Sequence, residues 1–289
     1  MRFGGVLGHH LEMAIIVQQT EDAADALARA GEFLATRPVE HNLVLTILHD
    51  RIAHPEPGRY WIVADDDAIV GVALQSPITF FATVTPMARA QATALAEAVA
   101  LAAPELPGVN GEAGTTAAFA GHWAEIRGTP VTPDIGQRLY RLGTLRIPDG
   151  IPGRARTATV DDHALAVDWA RGFHADTGEP PLLDPDAHIR VRLAEERLRI
   201  WDNDGPRAMA GFMRTVSGIA RIGPVYTPPE HRRHGYAAAS TAAVTQHLLD
   251  HHADGCVLYT ALANPTSNAI YRRLGYEAVA ETLRYRFGS

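Results

Sequence analysis

The sequence predicts an α/β (α+β) protein built as two tandem domains, each a mixed, largely antiparallel sheet flanked by helices. Three observations predict it. The chain has 289 residues, a length that suits two domains better than one. The same order of strand-like and helix-like runs occurs twice. Hydrophobic residues make up 46% and charged residues 20%, so each half has the apolar content for a core of its own.

After an opening segment, residues 1–12, whose apolar part is too short for a signal peptide, the first half runs over residues 13–146. Met13 is a second candidate start. An apolar run at 14–17 precedes two helical patterns, 21–36 and 39–54. The β-rich runs 60–64 and 69–74 flank the turn signal Asp65-Asp-Asp67, and 80–85 makes a third strand. A long alanine-rich helix (87–103), a weak strand (109–113), a helix (115–127) and a closing strand (138–142) complete the set.

Residues 147–153, Ile-Pro-Asp-Gly-Ile-Pro-Gly, read as a linker. The second half, 154–289, replays the order. Its hairpin, 199–201 and 208–213 around Asp202-Asn-Asp-Gly205, matches 60–74. A strand at 219–227, a helix from about 235 to 252, a strand at 257–261, a helix at 265–274 and strands to 287 follow.

Composition narrows function. Lysine plus arginine number 26 against 33 acids, a formal charge of -7, which excludes a broad phosphate-binding face for nucleic acid and suits a cationic or amine substrate. No apolar stretch reaches membrane-spanning length, so a soluble, cytoplasmic protein is expected. Cys256, in an apolar run, reads as a small buried hydrophobe. No His or acid cluster has metal-ligand spacing, so no metal is expected, and His251-His252 suits a helix C-terminus.

The chemistry concentrates where the strand 219–227 runs through a proline- and arginine-containing loop into an alanine-rich helix. The first amides of a helix lack intrahelical partners and carry positive potential, so they suit a pyrophosphate. Gly235 admits phosphate without a Cβ, Ala237 keeps the next turn slim, and Arg232 and Arg233 offer charge-assisted bonds.

Arg232-x-x-Gly235-x-Ala237 after such a strand resembles the acetyl-CoA signature of the GNAT superfamily of N-acetyltransferases. Pro229-Glu-His-Arg-Arg-His-Gly-Tyr236 resembles the wider block, and the run from Tyr259 through Asn264 to Tyr271-Arg-Arg-Leu-Gly-Tyr276 resembles the family's downstream block. The resemblance implies that the main chain of Val225, Tyr226 and Thr227 pairs with the pantetheine arm. It implies that Arg232, Arg233, His234, Gly235, Tyr236 and Ala237 wrap the pyrophosphate, that Asn264 and Asn268 offer amide bonds to pantetheine, and that Tyr271 protonates the departing thiolate. The residues also admit plainer roles: Asn264 as the cap of a helix beginning at Pro265, and Tyr271 as a core aromatic.

Acetyl-CoA is thus the implied co-substrate, and the acceptor a small-molecule or peptide amine. The strand 219–227 holds no Asp or Glu, which leaves the general base open. Asp176 and Glu179, in the segment after the half's first helix, are candidates to bind or deprotonate the amine, or are solvated loop acids. A CoA-holding module without turnover, another acyl donor and a hydroxyl acceptor stay open. The first half has neither glycine nor an arginine pair at 80–91 and lacks the Asn and Tyr pair at 115–123, so it reads as a degenerate copy.

Overall fold

The computed structural model describes residues 15–178, 182–251 and 253–288. In the first half the order is β1 (Ile15–Thr20), α1 (Ala23–Thr36), α2 (Asn42–Ala53), β2 (Arg59–Asp65), β3 (Ala68–Gln75), β4 (Ala82–Val84), α3 (Arg89–Ala102), β5 (Gly108–Glu112), α4 (Ala113–Arg127) and β6 (Val131–Leu142). The second half follows element for element: β7 (Arg154–Thr157), α5 (His163–Thr177), α6 (Pro185–Ala194), β8 (Leu198–Asp202), β9 (Pro206–Phe212), β10 (Ile219–Tyr226), α7 (Tyr236–Asp250), β11 (Gly255–Ala261), α8 (Pro265–Arg273) and β12 (Tyr276–Phe287).

Local chemistry sets the helix starts. Asp22 accepts from the amide of Ala24 at 2.7 Å and opens α1, whose Ala26, Ala30 and Leu34 fall at four-residue spacing on one buried face. Asp184 and Asn264 cap α6 and α8 ahead of prolines, where the missing N–H costs nothing. α2 begins at Asn42 rather than 39, and β4 is only Ala82–Val84.

The strands form one twelve-stranded sheet in the order β1-β2-β3-β4-β5-β12-β6-β11-β10-β9-β8-β7. Among the described residues only β4–β5 and β10–β11 pair in parallel. Here the structure adds to the sequence reading. The last strand of each half is exchanged: β12 pairs with β5 of the first half, and β6 pairs with β11 of the second. β6 and β12 are each twelve residues long and pair with each other along most of their length.

Aromatic side chains hold the exchange. Phe287 of β12 stacks on Trp123 of α4, with ring centroids 4.7 Å apart, inside the first half's core. Tyr140 of β6 is fully buried among Leu258, Tyr271 and Tyr276 of the second. Alternation along the strands divides the helices between two faces. On β10, Ala220 and Ile222 meet α7, while Ile219 meets Val39 beside α2. On β9, Ala210 and Phe212 face α7 and Met209 faces α5 and α6. So α2 of the first half lies on the same face as α5 and α6, against the second half's sheet.

Candidate active site

β10 and β11 stay together only over Ile219–Ile222 against Gly255–Leu258. Past Ile222, three residues of β10 oppose two of β9, Ile222 facing Phe212 and Val225 facing Ala210. The bulge contains the cis Gly223–Pro224 peptide. β11 meanwhile continues along β6 as far as Ala261 against Gln137. The two strands therefore diverge at Gly223. Val225 and Tyr226 keep β9 on one side, and their other side faces an opening. An extended ligand arm carrying amides fits such an opening as an added strand.

The opening runs down to the start of α7. Thr227 follows β10, a single 3₁₀ turn spans Pro229–His231, and Arg233 (φ 67°) and Gly235 (φ 84°) take the left-handed conformation. Helices α1, α4, α6 and α8 have first amides filled by Asp22, Glu112, Asp184 and Asn264, whereas α7 begins at Gly235 with no side-chain cap among the described residues, as do α2, α3 and α5. The amides of Tyr236 and Ala237 therefore stand open at the positive end of the helix dipole. A Cβ on Gly235 would come within 2.7 Å of Ile151, so the linker backs this loop.

The two arginines differ. Arg232 donates from Nε to the Thr227 carbonyl at 2.9 Å, forms an ion pair with Asp176 and lies over the Tyr226 ring at 5.9 Å. Arg233 is exposed and has no partner among the described residues. His234 holds the Arg232 carbonyl through Nδ1 at 2.8 Å and stacks on Tyr236, whose hydroxyl accepts from Asn203.

On the other bank, Asn264 caps α8 by accepting from the amide of Ser267 at 3.0 Å. The Asn268 amide is spent inside the protein. Its Nδ2 donates to the carbonyls of Ala261 (2.9 Å) and Asn264 (2.7 Å), and its Oδ1 accepts from the Tyr140 hydroxyl at 2.8 Å. Asn268 thus shapes the end of β11 rather than presenting a free amide. Tyr271, one turn on, is buried between Tyr140 and Tyr276, and its hydroxyl makes no hydrogen bond among the described residues. Burial pushes its hydroxyl up to about 12, so it keeps its proton at any working pH. Burial likewise pushes the Cys256 thiol up to about 12, which removes it as a nucleophile.

Residues 200–285 match the family model for the FR47-like protein. Solved structures align along nearly the whole chain. A GNAT-family acetyltransferase from Colwellia psychrerythraea is 12% identical with a TM-score of 0.62, covering 94% of this chain and 99% of that one. A GCN5-related N-acetyltransferase from Sphaerobacter thermophilus is 16% identical with the same TM-score, covering 94% and 95%. A tandem GNAT protein from the clavulanic acid biosynthesis pathway is 14% identical at 0.55, covering 96% and 99%. The chain has the GNAT acetyltransferase fold. No curated protein matches it by sequence.

In this GNAT fold the corresponding strands of the first half are shorter. β4 pairs with β5 along its full length, Ala82 to Val84 against Val109 to Gly111, and a Cβ on Gly111 would strike the Val84 carbonyl at 2.6 Å. The segment leading into α3 is packed by side chains. The Met87 amide donates to Thr115 Oγ1 at 3.1 Å, that hydroxyl is 2.8 Å from Glu112 Oε2, and the Met87 side chain fills the space over Gly71. Burial pushes the Glu112 carboxyl up, but the amides of Gly114 and Thr115 outweigh it and hold it below the usual range. A fixed anion beside the start of α3 opposes a phosphate.

Asp176 sits on the cradle side, paired with Arg232, and Glu179 lies outside the described residues. Sequence reasoning missed Arg192, Arg197 and Arg221. Arg192 donates from Nη1 to the Gly223 carbonyl at 3.2 Å, which puts its guanidinium at the point where β10 leaves β11. The available signal was periodicity: Ile189 and Arg192, three apart on α6, share the buried face. Among the described residues no group of three His, Cys, Asp or Glu could hold a metal, and no helix is long and apolar enough to cross a membrane.

Proposed function

We propose that the chain is an acetyl-CoA-dependent N-acetyltransferase with one working cradle, in residues 154–289, and a degenerate partner in residues 13–146 that walls the acceptor cleft. The observation that supports it is the divergence of β10 from β11 at Gly223, leading to the uncapped start of α7 at Gly235. The amides of Tyr236 and Ala237, with Arg233, would hold the pyrophosphate. The free side of Val225 and Tyr226 would pair with the pantetheine amides, with Asn264 and Asn268 supporting the opposite bank.

Bound acetyl-CoA supplies an activated thioester whose carbonyl an amine can attack. The backbone at the bulge orients that carbonyl, and the buried Tyr271 hydroxyl, kept protonated, is the donor for the thiolate. β10 carries no acid, so the attacking amine loses its proton to water or to a group outside the strand. The reaction as proposed needs no metal and takes place in the cytoplasm.

Protein mixed with acetyl-CoA and a panel of primary amines should release free thiol in an acceptor-dependent manner. Saturable acetyl-CoA binding without acceptor-dependent thiol release would reassign the chain as a CoA-holding module. No binding at all would remove the cradle.

A further inference from the structure

A group of arginines lies on the face of the sheet where α2 meets α6, beside the bulge. Arg192 and Arg197 are each 5% exposed. Both reach the sulfur of Met213, Arg192 at 3.4 Å and Arg197 at 3.9 Å. Arg221 projects from β10 two residues before Gly223 and donates to Thr46 of α2 at 2.9 Å. Arg214 lines a solvent-open depression of about 440 Å³ with His49 and Val216, and shares Glu195 with Arg197.

Negative charge is scarce here. Glu195 serves Arg197 through Oε2 and Arg214 through Oε1, which also lies 3.3 Å from Nε2 of His54 of the first half. Asp50, the acid on the facing helix, is paired with Arg51 at 2.9 Å. Among the described residues Arg192 has only neutral acceptors: the carbonyls of Phe212 and Gly223, the Met213 sulfur and His188 Nε2 at 2.9 Å. Burial, reinforced by Arg192, lowers His188 to about 3, so it stays a neutral acceptor. Burial and then the charges of Arg197 and Arg221 lower Arg192 to about 9. The Nε atoms of Arg221 and Arg197 are buried and donate to nothing among the described residues. An uncompensated buried guanidinium is costly, and packing alone gives no reason to keep Arg192 and Arg221 together beside the paired Arg197. A bound carboxylate would give an orphaned donor a partner and offset the charge.

We propose that Arg221, backed by Arg192 and Arg197, binds the carboxylate of an acceptor that also carries the reacting amine, so that the substrates are amino acids or amino-acid-like amines. The site stands beside the bulge where the acetyl carbonyl would lie, so amine and carboxylate are separated by only a few bonds. The fate of the amine rests on the acetyl-transfer reading, whereas the carboxylate site rests on the arginines alone.

The test pairs acids with the amines that lack their carboxylate: glycine with methylamine, β-alanine with ethylamine, phenylalanine with phenethylamine, lysine with cadaverine. Each is titrated calorimetrically into the full-length protein saturated with free coenzyme A. At least one acid should bind about tenfold or more tighter than its partner amine, the scale of a charge-assisted pair. That advantage should vanish in Arg221→Gln while coenzyme A affinity holds, and Arg221→Lys should restore part of it. Equal binding within every pair, or no binding of any acid, overturns the carboxylate site, and the wild-type comparison decides this even if a variant fails to fold. Thiol release is measured on the same pairs with acetyl-CoA. An acid that binds but is never acetylated overturns acetyl transfer and leaves the carboxylate site standing.

Discussion

In the first half β4 keeps β5 beside it for its whole length, whereas in the second half β10 leaves β11 after Ile222. The element order is the same, and the difference arises from a bulge at Gly223 and from what stands at the next helix start. There Gly235 begins α7 in the left-handed conformation, while Met87, bonded to Thr115 beside Glu112, leads into α3. Two copies of one element order thus differ at the strand end and at the helix start that follows it. The first half still supports the second through β6 and α2, which pack against its sheet.

The sharpest way to break this comparison is Gly235→Val. A branched side chain meets Ile151 and resists the left-handed backbone, so the loop must shift and the amides it presents move with it. Several contacts fail together, so acetyl-CoA affinity should fall about 100-fold or more, equivalent to roughly 3 kcal/mol or more. Calorimetry reads the loss, and an unchanged melting profile separates it from misfolding. Affinity equal to wild type would mean that α7 does not hold the phosphates.

Turnover is the next largest effect. Tyr271→Phe should lower the rate by about 10²-fold, the lower end for general acid catalysis, with acetyl-CoA affinity retained. Because burial raises the Tyr271 hydroxyl, its proton is present throughout the range below about 12. The wild-type rate should show no fall on the alkaline side attributable to this group before that point. An unchanged single-turnover rate in the variant would leave Tyr271 as a core residue.

The exchanged strand offers a stability test. Tyr140→Phe keeps the ring but orphans Asn268 Oδ1, which should cost about 1–3 kcal/mol in denaturant unfolding. Because that bond anchors α8, acetyl-CoA affinity should weaken modestly as well. A variant as stable as wild type would show that β6 holds the second half by packing alone.

The smallest expected effect sharpens the contrast between the halves. Arg233→Ala removes one exposed cation, so affinity should drop by only about 3- to 10-fold, and the deficit should shrink as salt rises. Titration of the intact protein should give one acetyl-CoA per chain. A stoichiometry of two would show that the first half binds as well.

The repeat was legible because strand and helix periods are written locally, in runs such as 60–64 with 69–74 and their counterparts near 199–213. The turn at Gly235 was legible for a related reason: a left-handed glycine at a helix start is a short-range requirement. Asn264 was legible as a cap from the proline after it, and the structure shows it in that role. Asn268 was not, because its three hydrogen bonds come from the carbonyls of Ala261 and Asn264 and from Tyr140, on a strand of the other half.

By itself the sequence determined the two-fold element order, the helix caps and the Gly235 loop, all of which depend on residues within a few positions of one another. The tertiary structure decided the strand exchange, since alternation along β6 and β12 states which side chains point to a core but not which half supplies it. It also decided the gathering of Arg192, Arg197 and Arg221 around the bulge, because α6, the following turn and β10 meet there only after the sheet has formed. The physical reason is the same in both cases: the free energy of a long-range contact depends on a neighbour that local propensity does not specify.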